Sequence, residues 1–259
     1  SKLTFASLVK KIASDPTFEG ADPVAVRLRN ISSNSFEIRL QEPNYKDGGH
    51  TDETISYMVI EEGVWELSDG IKIEAGSIET DKLSTEGREN VCLDKSFESE
   101  SSLSVLTQAQ TFNGPDWLTT RTDKVTKESF QVMMQEEESL NNGGHANETI
   151  GWIAMESGVS STKDLTLEGG RTACAFSDQT SSHEYKANFK SSPTLLTKID
   201  SFEGPDTANA RINSMDAKGF SAFVHEEQSK DFELGHTTES LSYLAFANDS
   251  GLLSGLAVI

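Results

Sequence analysis

The sequence is short of several things, and each shortage excludes a class of protein. Two cysteines, Cys92 and Cys174, in 259 residues make neither a metal-ligand spacing nor a disulfide framework. Both lie in apolar stretches, NVCLD and TACAF, and are expected to be buried thiols, with a single bridge as the other reading. No apolar run reaches the length of a membrane-spanning helix, so no membrane insertion is expected. No signal peptide is visible. Basic residues are scarce: 22 Lys and Arg against 42 Asp and Glu leave a net charge of −20. Nucleic acid and anionic membranes are therefore poor partners. The charge fits salty surroundings, where screening weakens self-repulsion. No G-x-S-x-G, C-x-x-C or P-loop occurs, so no enzyme is expected. Hydrophobic residues at 35% are few for one large core and adequate for several small ones.

What the chain has is repetition. TFEGADPVAVRLRNISSNSFEIRLQE (17–42), TFNGPDWLTTRTDKVTKESFQVMMQE (111–136) and SFEGPDTANARINSMDAKGFSAFVHE (201–226) align almost without gaps. Phe18, Phe112 and Phe202 each stand nine residues before Arg27, Arg121 and Arg211. Each arginine stands nine before Phe36, Phe130 or Phe220, and each of these six before Glu42, Glu136 or Glu226. A loop of variable length then reaches H-x-x-E: His50/Glu53, His145/Glu148 and His236/Glu239. Tyr57, Trp152 or Tyr243 follows seven residues after the histidine. Periods of 94 and 90 residues are too long for a solenoid and suit three small domains.

Within each repeat the pattern is β. SFEIRLQE alternates Phe36, Ile38 and Leu40 with charged and polar neighbours, as a half-buried strand does. TISYMVIE, TIGWIAME and SLSYLAFA read as strands packed on both faces. Even the helix-like ASLVKKIAS is assigned to a strand, from its place in the repeat. The fold class expected is all-β: three tandem antiparallel six-stranded β-sandwiches in a pseudo-threefold arrangement. The repeats are placed at 1–66, 67–160 and 161–249, with residues 250–259 read either as a terminal strand that completes the first sheet or as the start of a further unit in a longer tandem array.

Three motifs carry the candidate chemistry. H-x-x-E leads into a strand, where positions three apart face opposite ways. His and Glu therefore meet one partner only if the histidine is still in the loop. They read as a loop clamp, a ligand contact or a metal pair. A mid-strand arginine needs an acidic partner or a ligand, and Glu42, Glu136 and Glu226 are at hand. The loops QEPNYKDGGH, QEEESLNNGGH and HEEQSKDFELGH hold oxygen donors of the kind Ca²⁺ takes, but not in EF-hand spacing. They read as solvated loops or a Ca²⁺ site. No other cofactor is expected. Sequons begin at Asn30, Asn147 and Asn248.

Residues 97–158 resemble the H-type lectin domain, known from snail agglutinins and discoidin-like proteins. Phe97, the strand Leu103 to Thr107, Arg121, Phe130 and the closing Trp152 to Ala154 carry the resemblance. The stretch from Glu62 to Gly70 resembles repeats in large secreted proteins of marine bacteria. The resemblance implies sandwiches assembled as trimers, with galactose-type sugars bound between neighbouring protomers and the ligand arginine at Arg27, Arg121 and Arg211. The chain departs from the family's Trp-His pair with Pro43-Asn44, Glu137-Glu138 and Glu227-Gln228, so the aromatic platform under the sugar is missing. Trp65, Trp117 and Tyr45 are the substitutes to examine.

The function expected from these residues is non-catalytic, multivalent binding of a polysaccharide or glycan by an extracellular protein. The sites would lie at repeat junctions: Arg27, Arg121 and Arg211 with the six glutamates and three histidines named above. The alternative is a structural, self-associating or adhesin protein, with the same residues holding repeats together.

Overall fold

A computed structural model describes residues 9–67, 69–94, 97, 102–162 and 165–247, and the backbone of 251–253 and 256–258. Among the described residues there are strands and no helix. The first repeat contributes β1 (Val9–Ala13), β2 (Ala25–Arg29), β3 (Glu37–Gln41) and β4 (Tyr57–Glu61). The second contributes β5 (Gly63–Glu66), β6 (Lys72–Thr80), β7 (Glu89–Cys92), β8 (Leu103–Ala109), β9 (Thr119–Asp123), β10 (Ser129–Gln135) and β11 (Glu148–Glu156). The third contributes β12 (Gly158–Ser161), β13 (Thr166–Arg171), β14 (Ser181–Glu184), β15 (Thr194–Ile199), β16 (Ala208–Met215), β17 (Gly219–Glu226) and β18 (Leu241–Phe246). The short strands β19 (Gly251–Leu253) and β20 (Leu256–Val258) follow.

The second and third repeats are built alike. Each pairs a four-stranded antiparallel sheet, β5-β6-β11-β8 or β12-β13-β18-β15, with a three-stranded one, β7-β10-β9 or β14-β17-β16. The first repeat shows the sheets β1-β4 and β2-β3. β19 and β20 pair with each other, and β20 lies alongside β4. ASLVKKIAS contains β1, paired with β4 from Val9↔Glu61 to Ala13↔Tyr57.

Strand alternation explains the packing. On β11, Ile150, Trp152 and Ala154 enter the second sandwich beside Phe130 and Val132. The opposite face of the same strand sends Ile153 and Met155 into a different core. β18 does the same with Tyr243 and Ala245 on one side, and Leu244 and Phe246 on the other. That second core is shared. It gathers Ile12, Met58 and Ile60 from the first repeat, Ile73, Leu106, Ile153 and Met155 from the second, and Leu167, Leu196 and Leu244 from the third. The sheets β1-β4, β5-β6-β11-β8 and β12-β13-β18-β15 therefore face a common apolar centre. A fully buried aliphatic side chain contributes about 1.5–3 kcal/mol, so this centre binds the repeats to one another.

The repeats also hand strands on. β4 ends at Glu61 and β5 begins at Gly63, yet β5 pairs with β6 in the second repeat's sheet. β11 passes to β12 in the same way across Ser157. Gly63 (φ 138°) and Gly158 (φ 158°) occupy backbone that side-chain-bearing residues avoid. The boundary at 66 therefore leaves β5 on the wrong side of its sheet.

The cysteines are corrected. Both are free and exposed. On β7, Val91 points inward and Cys92 outward, while the Cys174 thiol donates to the carbonyl oxygen of Thr238 at 2.9 Å.

Candidate functional site

The three arginines lie at the junctions between repeats, and all are buried, at 0–1% exposure. Arg27 of the first repeat reaches Glu148 of the second at 3.1 Å. Arg121 of the second reaches Glu239 of the third at 2.7 Å. Arg211 of the third reaches Glu53 of the first at 2.7 Å. The order is cyclic, so the ion pairs close the three repeats into a ring. The proximity of Glu42, Glu136 and Glu226 in sequence pointed to the wrong partners: the acceptors are the H-x-x-E glutamates, one repeat further on.

All but one of the remaining arginine nitrogens donate to protein atoms. Arg27 Nη1 donates to Gln41 Oε1 at 3.2 Å and to the Asp116 carbonyl at 2.9 Å. Arg121 Nη1 donates to Gln135 Oε1 at 3.2 Å, and its Nε and Nη2 to the Ser201 carbonyl at 3.3 and 2.9 Å. Arg211 donates to the carbonyls of Thr17, Asp22 and Gly20 at 2.9, 3.1 and 3.2 Å. Each guanidinium also lies over the phenylalanine nine residues before the next repeat's arginine: Phe112 at 4.4 Å, Phe202 at 5.3 Å and Phe18 at 5.0 Å. Such stacking adds cation–π attraction. Arg27 Nε alone among these donors has no partner.

The histidines stand behind the ion pairs. His50 Nδ1 holds Glu42 at 2.8 Å and its Nε2 holds Glu53 at 3.0 Å. His145 joins Glu136 to Glu148, with 3.3 Å on the Glu148 side. His236 joins Glu226 at 2.5 Å to Glu239 at 3.1 Å. The contact across three residues works because each histidine is still in the loop, ahead of β4, β11 or β18. Each H-x-x-E glutamate also accepts from the loop around Phe18, Phe112 or Phe202. Glu53 takes the amides of Glu19 and Gly20 and the Thr17 hydroxyl, the last at 2.6 Å. Glu239 takes the amides of Glu203 and Gly204 at 3.1 and 3.0 Å. Glu148 takes those of Asn113 and Gly114 at 3.0 and 3.4 Å. The glycine in that loop is required: a Cβ on Gly114 would lie 2.6 Å from the His145 ring.

Each repeat thus carries a line of Glu, His and Glu that ends on a neighbour's Arg. Burial lowers the proton affinity of His145, but the hydrogen bonds its ring donates to Glu136 and Glu148 overcome it and hold its pKa at about 9. Burial raises that of Glu239, and His236, Arg121 and Ser201 bring it down to about 2. Charged His145 and the first repeat's Arg27 then balance the carboxylates of Glu136 and Glu148. Asp116, Glu136 and His145 each bring one donor atom within 4.8 Å of the others. Both nitrogens of His145 already hold carboxylates, so its protonated ring has no lone pair for a metal ion.

The third junction differs. His225 stands where Gln41 and Gln135 stand in the others, with Nδ1 at 3.3 Å from Arg211 Nη1. Burial, then the Arg211 charge, pull its pKa to about 4. The substitute aromatics do not form a platform: Trp117 is 1% exposed, and Trp65 packs against the shared core while its indole donates to the Glu61 carbonyl at 3.1 Å. Tyr45 is exposed. Sequence reasoning missed a recess of about 530 Å³ between the first and second repeats, lined by Lys10, Arg29, Asn30, Gln110, Phe112 and Asn113. No repeated signal marks it, since Lys10 and Arg29 have no counterpart in the other repeats.

The chain is similar to halomucin of Haloquadratum walsbyi (strain DSM 16790 / HBSQ001), with 28% identity over 228 residues. The match takes in 85% of this chain and 2% of that relative's length. No family model matches the chain, and no solved structure matches it.

Proposed function

We propose that the chain is a non-catalytic, extracellular structural module in which three H-type-lectin-like repeats close on one another to make a rigid unit of a larger surface protein. The observation that carries this reading is the cyclic set of buried Arg–Glu pairs: the thrice-repeated polar motif is spent on holding repeats together. The similarity to halomucin, of which this chain spans 2%, supports a place in a long extracellular chain. Among the described residues no helix is long and apolar enough to cross a membrane.

A second reading, glycan binding, is favoured by the recess between the first and second repeats. Phe112 supplies an apolar face there, and Lys10, Arg29 and Asn113 supply polar groups, the combination that sugar and small-molecule sites use. A glycan array with affinity electrophoresis on neutral and acidic polysaccharides separates the two. The structural reading expects no retention. Retention that Arg29→Ala abolishes would replace it with the glycan reading.

A further inference from the structure

Among the described residues, the first repeat lacks a strand that the other two have. In those two the smaller sheet has three strands, with β7 or β14 along the outer edge of the middle one. β7 pairs antiparallel with β10 and sets Val91 against Phe130. β14 pairs antiparallel with β17 and sets His183 against Phe220. β3 stands in the place of β10 and β17, and among the described residues it pairs with β2 alone. The spacing of the elements puts the missing strand beyond these residues. β20 lies alongside β4 as β6 lies along β11 and β13 along β18. Residues 81–88 then lead from β6 to β7 and residues 172–180 from β13 to β14, whereas only Ile259 stands after β20. Ahead of β1 the strand would need a connection like residues 93–102 or 185–193, longer than the segment 1–8 that precedes Val9.

The core beneath that place is uncovered. Phe130, Val132 and Met134 are 0% exposed, and Phe220, Ala222 and Val224 at most 3%. Their counterpart Ile38 is 41% exposed, and Phe36 and Leu40 are half-buried. The aromatic partner follows suit. Phe36 meets Tyr57 edge-on at 5.1 Å, as Phe130 meets Trp152 at 5.6 Å. Yet Trp152 is 6% exposed and Tyr57 is 44% exposed. The same side chains are set out for a sandwich core in each repeat, and in the first they lie open to solvent. A sheet edge with an apolar face beside it is a template for one more strand.

We propose that the β3 edge takes up one extended strand from polypeptide outside these 259 residues, laid antiparallel to β3 with alternate side chains turned towards Phe36 and the core behind it. β7 and β14 define the chemistry of that strand. Each brings one residue onto the phenylalanine, Val91 or His183. Each flanks it with exposed neighbours, Asn90 and Cys92 or Ser182 and Glu184. Each adds an apolar or aromatic residue two positions later, Leu93 or Tyr185, packed on the same core. A strand of this pattern completes the first sandwich and couples the ring to the polypeptide that donates it. The inference stands on the first repeat and holds under either reading of function.

A tethered donor tests it. The chain is extended after Ile259 with a second copy of residues 81–94, which supplies the connection from β6 and β7 itself. Hydrogen exchange over residues 35–41, read by mass spectrometry, should slow by about tenfold or more relative to the unextended chain, as amides entering a stable ladder do. The same extension with Val91→Asp in the added copy should leave the exchange unchanged. The unextended chain should sediment as a monomer. Exchange that the extension does not slow, or slowing that survives Val91→Asp, would overturn the proposal. So would a dimer of the unextended chain with residues 35–41 already protected, which assigns the edge to a second copy.

Discussion

Arg121 and Glu239 stand 118 residues apart in the chain and 2.7 Å apart in the fold, both with fully buried side chains. The pair joins the second repeat to the third. With its two counterparts it turns a tandem array into a closed ring. Its strength lies in what its loss would leave behind, because a buried charge without a partner is far more costly than a missing surface bridge.

Arg121→Met should therefore destabilise the protein by about 3–5 kcal/mol, since Glu239 would stay buried with His236 as its only cationic partner. Surface Arg29→Met, which breaks an exposed pair with Glu37, should cost less than about 1 kcal/mol. Urea unfolding midpoints of the two variants measure the contrast.

The histidines give stability a pH window. The folded pKa of His145, about 9, lies above its ordinary value. Its contribution is fully present below about pH 6.5 and is lost as pH rises towards 9. At about 1.4 kcal/mol per unit, the loss is on the order of 3 kcal/mol. His225, with a folded pKa of about 4, works the other way. Its neutral form is favoured, so stability falls as pH drops from about 6.5 towards 4. Thermal melts from pH 4 to 10 should peak near neutrality, and His145→Gln should flatten the alkaline limb.

Gly114→Ala should cost about 1–3 kcal/mol, as overpacking does. Its Cβ would lie 2.6 Å from an imidazole that carboxylates grip on both sides. Gly143→Ala, with nothing within 4 Å of its Cβ, should change the melting temperature little. An intermediate loss at position 143 as large as at 114 would count against the packing explanation.

Both thiols should react with a disulfide reagent in the native state, without denaturant, because Cys92 and Cys174 are exposed and unpaired. The accessible thiolate is the reacting form, so the rate should rise with pH. Ellman titration reads two thiols per chain if this holds and none if they are buried.

A polypeptide of residues 67–160 alone should fail to fold cooperatively. It would keep Arg121 and Glu148 without their partners Glu239 and Arg27. It would also expose Ile73, Leu106, Ile153 and Met155, whose cover comes from the other repeats. Circular dichroism and heteronuclear spectra of that segment would show the loss.

The sequence by itself determined the all-β class, the three repeats and most strand phases. Alternation is a local property with a period of two, so Ile150 and Trp152 could be put on one face of a strand from their spacing alone. It also singled out Arg27, Arg121, Arg211 and the three H-x-x-E pairs, because a repeated polar residue inside a strand demands a partner. Only the tertiary structure decided who the partners are. The partner carboxylates belong to the neighbouring repeat, and sequence spacing carries no information about which repeat folds against which. The cysteines were misplaced for a related reason: Val91 and Cys92 share an apolar stretch, and only the pairing of β7 with β10 fixes which of the two faces the core. Likewise, the loops after Glu42, Glu136 and Glu226, which touch one another in the fold, look like plain acidic turns in the sequence. Their closeness arises from the closure of the ring, a long-range event that no local pattern encodes.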